Sequence, residues 1–98
     1  MATVRLTERA LADLERIFEF VADTDPRAAL RTVTRIEDGV MILARHPLIG
    51  RRVEDGRREL VISRGRAGYV ALYRWFEASD TVLVLAIRSA REAGYAGE

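Results

Sequence analysis

The chain has 98 residues, enough for one domain with a single core and too few for a second domain or an elaborate enzyme cleft. Hydrophobic residues make up 49% and charged residues 32%, and no apolar run approaches the roughly 20 residues of a membrane span. Cysteine is absent and the opening residues lack the layout of a signal peptide, so disulfides, thiolate chemistry and secretion are set aside and a reducing cytoplasm is expected.

All 16 basic residues are arginine, and the net charge is only +1. Their distribution is uneven: residues 45–74 carry 8 Arg against 3 acids. That stretch should present a local basic surface, because guanidinium groups match phosphate or carboxylate in a bidentate way.

Along the chain, Thr3-Val4-Arg5-Leu6 alternates as a short strand. Thr7 stands where a helix N-cap belongs. Ala10, Leu14, Ile17 and Val21, flanked by Leu11 and Phe18, mark one face of a helix over 8–22. Asp25-Pro26 is a second start signal, a capping carboxylate followed by proline at the first helical position. Ala29, Val33, Ile36, Val40 and Leu43 extend that second helix over 26–45, ending at His46-Pro47. The connection is so short that the two helices form an antiparallel hairpin. Residues 47–56 read as a loop and 59–62 as a strand. Residues 64–68 read as a turn, 69–76 as an aromatic-rich strand, and 77–80 as another turn. Val82 to Ile87 is an unbroken apolar run, expected to be a central strand buried on both faces. The order β-α-α-β-β-β defines a two-layer α+β fold over a single domain, residues 1–98, with the helical hairpin on a mostly antiparallel sheet.

Chemistry-bearing motifs are sparse. The one histidine, His46, sits at a helix end, where a local role outweighs catalysis. With one histidine and no cysteine, no metal or cofactor is expected. Gly65-Arg66-Ala67-Gly68 resembles a nucleic-acid-clamping GxxG loop, but it joins strands rather than helices and reads better as a hairpin turn. Glu15, Glu19 and Asp23 form an acidic stripe on the first helix. Arg27, Arg31 and Arg35 form a basic stripe on the second. Such stripes are usually solvated faces, or else they await a charged partner. Tyr69, Ala71, Tyr73 and Trp75 line one face of the aromatic strand, with Val70, Leu72, Arg74 and Phe76 on the other. Both faces are largely apolar, so the face turned away from the helices needs a cover: the tail, a loop or a second chain.

The ordered set of Ala10, Asp13-Leu14…Ile17, Asp25-Pro26…Ala28-Ala29 and His46-Pro47-Leu48-Ile49-Gly50-Arg51 resembles the RelE/ParE toxin superfamily of type II toxin–antitoxin systems. Arg58-Glu59-Leu60, Tyr69…Tyr73-Arg74, Leu85-Ala86-Ile87-Arg88 and Arg91-Glu92-Ala93-Gly94-Tyr95 complete the resemblance, which is closest to the ParE branch. It implies a toxin neutralised by a cognate antitoxin that wraps around it. DNA would be contacted only through that antitoxin, within a higher-order hetero-oligomer. ParE-like members are thought to act on DNA gyrase, whereas RelE-like members cut mRNA on the ribosome with basic residues and a tyrosine. Here Tyr69 is followed by Val70, Arg88 is followed by Ser89, and lysine is absent. An acid–base pair for RNA cleavage is therefore poorly supplied, although Arg91 and Tyr95 match the Arg and Tyr near the end of RelE-like toxins. The expectation is a gyrase-directed binding protein with no catalytic residues. The rivals are a ribosome-dependent endoribonuclease and an inactive antitoxin-binding homologue. Candidate target contacts are Arg58, Arg74, Arg88, Arg91 and Tyr95, with Arg51, Arg52, Arg64 and Arg66 as the fallback surface. Candidate antitoxin contacts are Leu11, Phe18, Arg31, Arg35, Tyr73 and Trp75.

Overall fold

A computed structural model describes residues 1–63, 68–92 and 94–95. The turn expected at 64–68 lies outside the described residues except for Gly68, as do Arg64 and Arg66.

Strand β1 (Thr3–Leu6) leads into α1 (Glu8–Ala22). Thr7 caps α1 by accepting from the Ala10 N–H at 3.1 Å. Helix α2 (Pro26–Val40) starts as its sequence requires, with Asp25 accepting from the Arg27 and Ala28 N–H groups. It is shorter than expected. At Met41–Ala44 the chain tightens into a single 3-10 turn that keeps Leu43 buried, so the apolar spacing runs on past the α-helix itself.

Strands β2 (Arg51–Arg52), β3 (Arg58–Ile62), β4 (Tyr69–Phe76) and β5 (Thr81–Ser89) follow. The sheet order is β1-β5-β4-β3-β2. Three pairings are antiparallel, and β1 lies parallel to β5 with Thr3 opposite Thr81. Strand β2 corrects the reading of 47–56 as loop throughout. Two charged residues carry no strand signal of their own, and they pair only because Arg58 and Glu59 lie opposite them.

Both helices pack on one sheet face. Ala10, Leu14 and Ile17 from α1 meet Ile36 and Val40 from α2 over Ile62, Ala71, Tyr73, Val84 and Ile87. Close approach of α2 to β3 uses Gly39, where a Cβ would stand 2.7 Å from the Ile62 side chain. Strand β5 is interior but not the middle strand, and Leu83 and Leu85 are only half-buried. Its pairing with β4 shifts register at Leu72/Tyr73, leaving Leu85 as an extra residue. Strand β1 stops opposite Val84, so the rest of that edge has no strand beside it. Helix α1 covers this edge with side chains. The Thr7 hydroxyl donates to the Leu85 carbonyl at 3.0 Å, and the buried Asp13 carboxylate accepts from the Ile87 N–H at 2.9 Å. Backbone groups that would otherwise be orphaned are thereby paired.

Candidate functional site

Antiparallel register assigns the face turned away from the helices. Arg51, Glu59, Leu72 and Ala86 form one row across it, and Val61, Val70 and Arg88 form the next. Leu72 and Glu59 are nonetheless buried. The chain supplies its own cover, since the tail after β5 folds back and places Tyr95 over them. The Ala90 N–H is held by the Gly68 carbonyl at 2.8 Å, and Glu92 accepts from Arg16 of α1 at 2.8 Å. The second apolar face of the aromatic strand is thus largely satisfied from within.

Glu59 is the centre of this face. Its carboxylate accepts the Tyr95 hydroxyl at 2.7 Å and the Arg51 Nη2 at 2.7 Å, with Arg88 Nη2 at 3.9 Å. Burial pushes the Glu59 carboxyl up. The hydrogen bonds from Tyr95 and Arg51 and the charges of Arg51 and Arg88 outweigh that, and hold it below the usual carboxylate range. Burial and the Glu59 carboxylate drive the Tyr95 phenol strongly upward, so it stays protonated and donates. Arg88 lies 5.2 Å from the Tyr95 ring centroid and donates to the Ser89 and Glu92 carbonyls. Two of the expected target contacts, Arg88 and Tyr95, are therefore already engaged by an internal carboxylate. Arg91 is different: it is exposed, and its guanidinium has no partner among the described residues.

The other expected target contacts lie apart. Arg58 donates Nη1 to the Leu48 and Gly50 carbonyls and pins the segment before β2. Arg74 is exposed on the open face, 5.4 Å from the Phe76 ring.

Of the expected antitoxin contacts, Leu11, Arg31 and Arg35 are exposed on the helical hairpin and Phe18 is half-buried. Phe20 and Leu30, which the sequence reading passed over, are more exposed there than Leu11. Trp75 is half-buried at the far end of β4, its indole N–H held by Asp80 at 2.9 Å. Tyr73 is a correction. It is fully buried on the helix-side face, and its hydroxyl donates to the Pro47 carbonyl and accepts from the Gly50 N–H. It cannot reach a partner, because its ring lies in the core under the helices and the segment from Pro47 to Gly50 closes over its hydroxyl. Glu59 was missed as a site residue. The signal was an acid directly after Arg57-Arg58 and directly before the apolar residues Leu60-Val61-Ile62, at the start of a strand.

Among the described residues, no three His, Cys, Asp or Glu side chains gather as metal ligands, and no helix is long and apolar enough to cross a membrane.

Two helices on one face of a five-stranded mixed sheet is the fold of the RelE/ParE toxin superfamily. Within it, the chain belongs to the ParE toxin family of type II toxin–antitoxin systems, whose family model matches residues 4–94. It is similar to the toxin RelE3 of Caulobacter vibrioides, at 36% identity over 92 residues, covering 94% of this chain and 98% of that protein. Among solved structures it is similar to a chain of the chromosomal ParDE toxin–antitoxin system from P. aeruginosa, with a TM-score of 0.72 and 27% identity, covering 91% and 96% of the two chains. A chain of the RelBE2 toxin–antitoxin complex from Mycobacterium tuberculosis matches with a TM-score of 0.59 and 27% identity, covering 90% and 96%.

Proposed function

We propose that this toxin acts by binding its target rather than by cutting RNA, that the target is DNA gyrase, and that a cognate antitoxin neutralises it. The observation that supports the first part is Glu59. Cleavage through a 2′-hydroxyl needs a base, an acid and cationic stabilisation of the phosphate. Glu59 occupies Arg51, Arg88 and Tyr95, and its negative charge would repel a phosphodiester brought to these groups. Tyr95, held protonated, is no base. Arg91 and Arg74 remain exposed for a macromolecular target, as arginine-rich hot spots are.

Gyrase rests on resemblance to the ParE branch. The antitoxin rests on the family and on the ParDE and RelBE2 complexes that the chain resembles. Its docking surface is the helical hairpin, where Leu11, Phe18, Arg31 and Arg35 offer an amphipathic face, with Trp75 beyond it. DNA is then reached through the antitoxin in a higher-order assembly, in the cytoplasm, where gyrase works. The RelE name of the relative at 36% identity favours the second reading, a ribosome-dependent endoribonuclease.

The test is to add the purified toxin in parallel to a gyrase supercoiling reaction and to ribosomes programmed with a defined mRNA. Inhibited supercoiling with intact mRNA is the expected result. Codon-specific cuts lost on Arg91→Ala would overturn it, and silence in both assays with tight antitoxin binding would make the chain an inactive homologue.

A further inference from the structure

A second cleft adjoins the Glu59 face, and Val53 and Arg57 border both. It has a volume of about 350 Å³ and is lined by Leu48, Arg52, Val53, Gly56, Arg57, Arg58 and Trp75. Register places Arg52, Arg58 and Trp75 on the helix side of the sheet edge. Arg52 pairs with Arg58, and Arg58 with Tyr73, the buried residue that faces the helices. Trp75 is two positions beyond Tyr73 on β4, half-buried at the margin of the core opposite Val82. Three guanidinium groups and an indole therefore share one concave site, and none of its lining residues is acidic.

Two of the arginines are held in place. Arg58 Nη1 donates to two carbonyls, and Arg57 Nε donates to the Glu54 carbonyl at 3.2 Å. Arg52 is exposed and has no hydrogen bond or ion pair with another described residue. Two acids stand beside the cleft: Asp80, which accepts from the Trp75 indole at 2.9 Å, and Asp55, which is 3.9 Å from Arg57 with its side chain 85% exposed, so that this contact is heavily screened. The indole is pinned at its N–H by Asp80, so its ring is offered at a fixed angle.

We infer that this cleft binds a nucleoside phosphate, with the base stacked on Trp75 and the phosphate held by Arg52, Arg57 and Arg58. A bare anion needs only the arginines, whereas the fixed, half-buried indole among them suits a ligand that is both planar and anionic. Base–aromatic stacking beside a basic groove is how single strands are held without sequence preference. The ligand is a free nucleotide or a residue of a nucleic-acid strand. In either case the chain itself touches nucleotide chemistry, beyond any DNA contact made through an antitoxin. The inference does not depend on gyrase being the target.

Trp75 is the one tryptophan of the chain, so its emission reports this cleft directly. The experiment titrates the full chain at 50 mM salt with a thymidine decamer, with thymidine 5′-monophosphate, and with a hexaglutamate peptide. The decamer should quench Trp75. Arg52→Ala should weaken it about eightfold, the counterion-release value of one single-strand phosphate contact at that salt. Arg5→Ala, on β1 at the opposite edge of the sheet, should leave it unchanged. Equal affinity for the monophosphate assigns the cleft to a free nucleotide, and affinity rising with length assigns it to a strand. Several results would overturn the inference: no quenching by either nucleotide ligand at about 1 mM, binding of labelled decamer without a change at Trp75, equal loss in Arg5→Ala, or equal affinity for hexaglutamate.

Discussion

Replacing Tyr73 by phenylalanine removes one oxygen atom from the interior and leaves the ring volume unchanged. That oxygen donates to the Pro47 carbonyl at 2.8 Å and accepts from the Gly50 N–H at 2.9 Å. Gly50 is buried, so its N–H would lose its partner with no water to replace it. The Pro47 carbonyl is half-buried and can recover part of its loss. An orphaned buried group costs about 1–3 kcal/mol, so the pair should cost about 2–3 kcal/mol in all. For a domain near 100 residues that corresponds to roughly 10–20 °C in Tm. Urea unfolding followed by far-ultraviolet circular dichroism should show a lower midpoint with an unchanged m-value. Antitoxin affinity should stay the same, because the residue is sealed inside. A loss below about 0.5 kcal/mol, or weakened antitoxin binding at an unchanged midpoint, would refute the reasoning.

The remaining predictions concern the other internal polar contacts. Asp13→Ala should cost about 1–3 kcal/mol by orphaning the Ile87 N–H, while Asp13→Asn, which keeps an acceptor oxygen, should recover most of it in the same urea assay. Burial raises the phenols of all three tyrosines, Tyr69, Tyr73 and Tyr95. Their stabilisation is complete below pH of about 10 and is lost as pH rises through the folded values. Tyrosinate absorbance near 295 nm should therefore appear together with unfolding, and early independent ionisation would count against the packing. Glu59 has the opposite sign: its lowered folded pKa stabilises above the unfolded value of about 4.3 and is lost as pH falls below it. Glu59→Gln should flatten the acid limb of the stability–pH curve while lowering stability at neutral pH.

The helices were legible because two N-caps, Pro26 and a regular apolar spacing all agreed over whole turns. The tertiary contacts set the rest. Residues 51 and 52 form a strand only because of the strand opposite. The parallel partner of β1 lies at the far end of the sequence, and no local pattern reports that. Tyr73 was misplaced because alternation gives a residue's face and not its depth, and the segment that seals its hydroxyl lies more than twenty residues earlier. Asp13 fell on the apolar side of α1 and entered only as part of a family pattern. Its use is visible once an uncovered strand edge is seen beside it. The tail drew attention through Arg88, Arg91 and Tyr95, yet the residue that organises it is Glu59, about thirty positions earlier.

The parallel pairing also sets an order of events during synthesis. Strand β1 has a single neighbour, β5, and Thr7 and Leu85, bonded across that junction, are 78 residues apart in the chain. At 5–20 residues per second the ribosome takes roughly 4–16 s to make that stretch. Throughout that interval β1 has no partner, and the helical hairpin lies over a sheet that lacks one of its interior strands. Arg88 and the tail arrive only with β5 or after it, so the Glu59 face is the last part of the molecule to close. The newly made hairpin is thus exposed for seconds before the toxin is complete, which is long enough for a partner already in solution to reach it first.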